Sequence, residues 1–324
     1  MPLIGLAIFV LIIRSIGFQN VLDIIRGIDP RKLIVFPFFT AFILLMHGLR
    51  WQFLMRIIGI EYSLWRSTMV WSIGFFGASV TPAKVGDAAR AFYLSRDTGR
   101  NFAECFLTVV IDRLLDVLTM LALGVVALLI FSYYYIELPS VWIIVGATPI
   151  VIGLIYLLLH RELMRKLLGP LFRAMIPDKY RDELTGHFHS FYDALGVYLR
   201  NWKKTSIGFV YTILFWAAVA LLAWSVTWLL DIKVPFTYMV LLLPMLTLVE
   251  IIPISVAGLG TRDAATIYFF SIVGIGSTEA VAFSLLYVIL GTYLVAGVGF
   301  VAWILKPSAL RKKLEDPVEQ TTNE

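Results

Sequence analysis

Apolar windows of roughly 20 residues, the length that crosses a bilayer as a helix, recur along this chain with short polar interruptions. They fall at 2–18, 33–57, 66–81, 104–132, 140–160, 204–230, 236–257, 261–275 and 279–305. The pattern predicts an all-α polytopic membrane protein of eight to nine membrane segments. Two windows, 66–81 and 261–275, are too short to cross upright and are expected to be broken or re-entrant segments. A different pattern occupies the polar loop 161–203. There Leu184, Phe188, Phe191, Leu195 and Tyr198 recur at three- and four-residue spacing between charged positions, which predicts an amphipathic helix lying flat on the cytoplasmic leaflet. Residues 1–305 are expected to form a single transmembrane domain, and 306–324 a disordered cytoplasmic tail, basic and then acidic.

Ionisable residues inside such windows persist for a pathway, a pairing partner or a binding site. They concentrate between Gly74 and Asp116. An apolar segment breaks there at Thr81-Pro82, turns polar with Lys84, Asp87, Arg90 and Arg96, and re-enters apolar sequence carrying Asp112, Arg113 and Asp116. His47, Arg50 and Trp51 lie well inside 33–57. Arg50 either snorkels along its stem to the outer interface or points into the bundle to meet an anionic group. Glu250 sits between Pro244 and Pro253, whose missing backbone donors kink a helix and free carbonyls near the carboxylate. It either carries a proton or pairs with Arg50. Asp112 and Asp116 share one helical face, either to hold a divalent cation near a phosphate or to pair with arginines. The adjacent Arg113 and the lack of a DDxxD-type run favour pairing.

Composition sharpens this reading. Apolar residues make up 60% of 324 and charged residues 15%, with a mean hydropathy of +0.86, which excludes a soluble core. No polar stretch exceeds roughly 45 residues, well short of a soluble domain of about 100. The single cysteine, Cys105, excludes an internal disulfide and a cysteine-rich metal site, and its apolar surroundings predict an inert thiol. His187 and His189 form an H-x-H pair without a third His or a Cys nearby, so neither a metal nor a cofactor is expected. The +5 net charge carries no nucleic-acid signal because the basic residues sit in loops between spans. Loops 19–32, 82–103 and 161–204 with the tail hold 20 of them, against only Arg56, Arg66 and Lys233 in the remaining loops. That bias places the C-terminus in the cytoplasm. The basic loop 161–204 would also attract anionic headgroups, by about 1 kcal/mol per residue. Residues 3–18 lack a basic n-region and a small-residue cleavage site and are read as a retained first span.

Two interrupted stretches echo each other. VTPAKVGDAARAFYL (80–94) and VAGLGTRDAATIYFF (256–270) share a helix-breaking turn, Asp-Ala-Ala and an aromatic run, with Asp87 falling on Asp263. Paired broken segments in the two halves of a transporter mark its binding site, because helices that start inside the membrane aim amides and a positive dipole end at an anion. Lys84, Arg90 and Arg262 would reinforce that. The plainer alternative is that Asp87 and Asp263 cap these helices and pair with local arginines.

At these residues the chain resembles the lysylphosphatidylglycerol synthase transmembrane-domain family, also described as flippase-like. The matching pieces are Arg50-Trp51; the glycine-phenylalanine run with Pro82, Gly86, Asp87 and Arg90; Asp112-Arg113 with Asp116; and Pro253-Ile254-Ser255, Gly258-Leu259-Gly260, Arg262 and Asp263. Their order runs from about residue 3 to 305. The family usually shows Glu where Asp87, Asp112 and Asp263 stand, so the acid is kept but shortened by one methylene. The bifunctional members charge phosphatidylglycerol with lysine through a separate soluble synthase domain, for which this chain has no matching segment. The resemblance therefore implies lipid binding or translocation rather than aminoacyl transfer.

The leading expectation is a lipid-handling transporter of a bacterial or archaeal plasma membrane. It would bind an anionic or aminoacylated headgroup through Arg50, Pro82, Lys84, Asp87, Arg90, Asp112, Arg113, Asp116, Glu250, Ser255, Gly258, Gly260, Arg262 and Asp263. Its partners would be membrane lipids and not nucleic acid, and a homo-oligomer is compatible with this reading. No nucleotide-binding P-loop motif is present, so movement would be downhill or ion-coupled. The competing classes are a membrane-embedded enzyme or subunit acting on a lipid-linked substrate, and a small-solute transporter using Glu250 as its proton site.

Overall fold

The computed structural model describes residues 2–134, isolated helical positions between 149 and 157, residues 159–166, 181–251 and 258–305. The expected span 140–160 lies almost wholly outside the described residues, as do Pro253, Ser255 and the tail 306–324. Among the described residues every regular element is helical. The chain begins with α1 (Pro2–Ile16) and α2 (Phe18–Arg26), bent by 76° at Gly17, whose φ of 88° suits glycine. A tight 3-10 turn, Pro30–Val35, leads into α3 (Phe36–Ile57). Then come α4 (Leu64–Val80), a second 3-10 turn (Pro82–Ala88), α5 (Ala89–Thr98) and the long α6 (Phe102–Tyr134). The second half holds α7 (Arg181–Arg200), α8 (Trp202–Leu229), α9 (Phe236–Ile251), α10 (Thr261–Ile272) and α11 (Ser277–Leu305), which contains a π turn at Val288–Tyr293.

Four of these stretches are long and apolar enough to cross a membrane: Pro30–Ile57, α6, α8 and α11, with the bent α1–α2 pair as a fifth. At 1.5 Å per residue, the 33 residues of α6 run about 50 Å, ample for a hydrocarbon core of about 30 Å.

The contacts along α3, α6 and α8 define two ends of the molecule. Lys32 at the start of the α3 stretch pairs with Asp231 just past α8 at 2.7 Å. At the other end Tyr198 of α7, just before α8, donates to the Leu54 carbonyl near the end of α3 at 2.8 Å. The first short segment returns to the end it left. Tyr62, just before α4, donates to Asp97 near the end of α5 at 2.5 Å, and the Arg100 guanidinium donates to the Gly59 carbonyl at 3.1 Å. The second short segment does the same from the opposite end. Tyr238 at the start of α9 donates to the Phe269 carbonyl of α10 at 2.6 Å, and the Phe131 ring near the end of α6 meets both Tyr238 and Phe269. Hairpins α4–α5 and α9–α10 therefore enter from opposite ends of α6.

Local chemistry explains both reversals. Thr81 leaves the helical region (φ −107°, ψ 143°); its hydroxyl donates to the Gly77 carbonyl at 2.7 Å and accepts from the Gly86 amide at 2.8 Å. Gly77 and Gly86 then cross in contact: a Cβ on Gly86 would sit 2.3 Å from the Gly77 carbonyl. In the second hairpin Gly258 and Gly260 adopt φ of 77° and 84°, a region that side chains beyond glycine rarely enter.

Windows 66–81 and 261–275, expected to be broken or re-entrant segments, are arms of two helical hairpins, the latter paired with 236–257, and the hairpins change which loops share an end. Arg56 and Arg66 lie on the same end as Arg96, Arg100 and Lys203, whereas loop 19–32 lies opposite with Lys233. The hydropathy count assigned these sets otherwise because it treated every window as a crossing. The amphipathic helix forms as α7, but its apolar face packs on protein: Tyr192, Leu195 and Tyr198 are buried against Leu54, Leu107, Ile111 and Leu115.

In a Cys105→Ser background, Glu61→Cys and Arg96→Cys should react with an impermeant maleimide from one side of sealed vesicles, and Arg31→Cys and Lys233→Cys from the other. Labelling of Glu61→Cys and Arg96→Cys from opposite sides would contradict the first hairpin.

Candidate functional site

Where the first hairpin meets α3 and α6, three arginines and three aspartates close into a ring. Arg50 of α3 donates through Nε to Asp112 Oδ1 at 2.7 Å. Asp112 accepts from Arg90 Nη1 at 2.8 Å, and Arg90 in turn donates to Asp87 Oδ2 at 3.0 Å. Asp87 accepts from Arg113 Nε at 2.5 Å, and Arg113 donates to Asp116 Oδ2 at 3.3 Å. Asp116 completes the circuit by accepting both Arg50 Nη groups, at 2.5 and 3.0 Å. The six formal charges cancel. Gly74 makes the room, since a Cβ there would stand 2.3 Å from Arg90 Cγ.

Exposure is uneven around the ring. The Arg50, Arg90 and Asp112 side chains are at most 1% exposed, whereas Arg113 is 35% and Asp116 18% exposed. The Arg90 guanidinium lies 5.2 Å from the Trp51 ring and that of Arg113 6.0 Å from Trp71, both within cation–π range. Thr212 of α8 accepts a further bond from Arg50 at 2.9 Å. Arg50 thus faces inward and is anchored to protein acids rather than snorkelling, and Asp112 and Asp116 pair with arginines.

A second cluster forms at the tip of the other hairpin. Arg262 donates to Glu250 Oε1 at 3.2 Å and to the Ser284 hydroxyl at 3.0 Å; Ser284 donates to Asp263. Asp263 Oδ2 also accepts the Gly260 amide at 2.8 Å, so this carboxylate caps its own helix. Glu250 pairs with Arg262 and not with Arg50; its side chain is 31% exposed. Gly258 packs against it, with an added Cβ 2.8 Å from Glu250 Cγ. Lys84, exposed at the tip of the first hairpin with φ 57°, lies within electrostatic reach of Glu250. Lys84, Arg262, Glu250 and Asp263 together are formally neutral.

Of the expected site residues, the structure gathers Arg50, Asp87, Arg90, Asp112, Arg113 and Asp116 in the ring, and Glu250, Gly258, Gly260, Arg262 and Asp263 at the second tip, with Lys84 at the tip of the first hairpin. Pro82 opens the 3-10 turn between them, and Ser255 lies outside the described residues. Sequence reasoning missed Thr212, Ser284, Trp71 and Gly74. A hydroxyl or a tryptophan within an apolar helix carries no signal until its neighbour across the bundle is known. Among the described residues no group of three His, Cys, Asp or Glu side chains could hold a metal.

Removing one member of the buried part of the ring leaves partners charged and unmatched, which costs about 3–5 kcal/mol. Asp112→Asn should lower unfolding stability in detergent by that order, and Arg113→Gln at the exposed edge by much less. Adding Arg90→Gln to Asp112→Asn should recover part of the loss. Full additivity of the two would show that the residues are not coupled.

Sequence comparison agrees with this whole-chain organisation. The family model described as the lysylphosphatidylglycerol synthase TM region matches residues 2–299. A UPF0104 membrane protein of Methanocaldococcus jannaschii is 23% identical over 94% of both chains. One from Methanothermobacter thermautotrophicus is 22% identical over 97% of this chain and 96% of its own. One from Pyrococcus horikoshii is 20% identical over 88% and 90%. With a match that runs from the first helix into the last, this chain belongs to the lysylphosphatidylglycerol synthase transmembrane-region family.

Proposed function

We propose that the protein is a lipid-handling transporter that moves a polar headgroup between leaflets through the groove where the two hairpin tips meet, while the acyl tails stay in the bilayer. The observation that carries this reading is the pair of broken hairpins inserted from opposite ends. Half-helices of inverted orientation that meet mid-span are the architecture in which transporters place substrate sites. Irregular backbone at that depth is tolerated where protein or a water-filled cavity surrounds it. The groups accessible for exchange are Arg113 and Asp116 at the ring's open edge, with Lys84 and Glu250 between the tips. Arg113, Asp116 and Glu250 are partly exposed and already held by an opposite charge, so a headgroup could replace one ionic partner with another at little net electrostatic cost, and Lys84 is exposed.

The same reading orients the molecule in a plasma membrane. The end that carries Arg56, Arg66, Arg96, Arg100, Arg161, Arg165, Arg200, Lys203 and Lys204 faces the cytoplasm by the positive-inside bias. The C-terminus lies on that side too, since α11 starts beside the end of α10 and is long enough to cross.

Leaflet exchange of fluorescent lipids in proteoliposomes tests the proposal. Exchange selective for an anionic or aminoacylated headgroup should appear with the intact protein and fall at least about tenfold in a Lys84→Gln/Glu250→Gln variant, which removes about 1.4 kcal/mol or more of headgroup interaction. The variant should elute as folded protein. Exchange of every lipid at equal rate, or unchanged exchange in the variant, would sink the assignment.

A further inference from the structure

The cytoplasmic-side turn between α3 and α4 carries a feature that the transport groove does not use. Two adjoining cavities, of about 370 and 610 Å³, meet around Gly59, Glu61, Tyr62 and Ser63. The larger is also lined by Gln52 and Arg56, the smaller by Arg66, Asp97, Thr98 and Arg100. Three guanidiniums from three parts of the chain thus surround one turn: the end of α3, the first turn of α4 and the link between α5 and α6. Their states differ. Arg100 is tied to the Gly59 carbonyl and, at 3.7 Å, to Glu104. Among the described residues, Arg56 and Arg66 have no side-chain hydrogen bond or ion pair. Asp97 accepts the Tyr62 hydroxyl but keeps its charge, so Glu61 and Asp97 are the competing acids.

Depth follows from the neighbours. Trp65 stands 73% exposed beside Arg66, and Trp202 is exposed at the start of α8 on the same end; tryptophans of this kind mark the headgroup level of a bilayer. A polar cavity at that level with two unpaired arginines matches a phosphate, whose oxygens accept forked guanidinium bonds. We propose that Arg56, Arg66 and Arg100 form a phosphate-binding site at the mouth of the first hairpin, separate from the mid-span clusters. Its ligand is the phosphate of a lipid in the adjacent leaflet or of a soluble phosphate ester. Because Arg100 bridges the α3–α4 turn to the far arm of the hairpin, a ligand shared by Arg100 and Arg66 would tie the two arms together where they leave the membrane.

The test compares a lipid with its soluble counterpart. Native mass spectrometry of protein released from phosphatidylcholine nanodiscs containing some phosphatidic acid would count retained phosphatidic acid. Thermal stabilisation by glycerol 3-phosphate would report a free ester. Loss of one charge-assisted contact weakens binding about tenfold, so Arg56→Gln/Arg66→Gln should lose retention of the ligand that binds. Glu61→Gln should strengthen it, and Arg31→Gln/Lys233→Gln at the opposite end should leave it unchanged. Retention of phosphatidic acid without a response to glycerol 3-phosphate assigns the site to a lipid, and a response to both admits soluble esters. Equal retention in the intact protein and in Arg56→Gln/Arg66→Gln, or no preference for phosphatidic acid over phosphatidylcholine together with no response to glycerol 3-phosphate, would overturn the proposal. Leaflet exchange is read separately, so failure here leaves the transport groove untouched.

Discussion

Three arginines and three aspartates buried together in an apolar bundle persist only as a closed, neutral set. An ion moved alone into such an interior loses several kcal/mol of solvation after relaxation, and a partner restores this only with good geometry and satisfied hydrogen bonds. The ring from Arg50 through Asp112, Arg90, Asp87, Arg113 and Asp116 meets that demand by alternating sign at each step. It also determines where the helices stand. Arg50 holds α3 to α6, Arg90 holds α5 to α6, and Thr212 brings in α8. The position of the first hairpin follows from this, because Arg90 reaches Asp112 only if the chain turns back at Thr81 and crosses itself at Gly77 and Gly86.

Among the described residues, the second hairpin does not repeat the ring. Asp87 and Asp263 stand at equivalent places in the echoed sequence and have different duties. The first bridges two arginines; the second caps the helix that it begins and holds Ser284. One hairpin is thereby locked by three salt-bridged arginines, whereas among the described residues the other is tied by Arg262, shared between Glu250 and Asp263.

Charge is divided by depth as well as by side. The two inner clusters are formally neutral and alternate in sign. The turn near Arg56, Arg66 and Arg100 sets these guanidiniums beside Glu61, Asp97 and Glu104.

Much of this was readable in the sequence. Apolar windows of membrane length gave away the helical class, since backbone groups in lipid must be satisfied within the segment. The break at Thr81-Pro82 and the glycines at 258 and 260 marked the reversals, because proline lacks a donor and glycine alone enters positive φ freely. The acids and arginines that cluster were also legible as unusual within apolar runs. Their partners were not. Arg50 and Asp112 are 62 residues apart, and hydropathy cannot say whether a short window crosses or returns, so the sidedness of Arg56, Arg66 and loop 19–32 came out wrong from the chain alone. Composition and local backbone chemistry determined which segments enter the membrane and where they break. Tertiary structure decided which charges neutralise which, and from which end each hairpin enters, because both depend on distances between helices that no local pattern encodes.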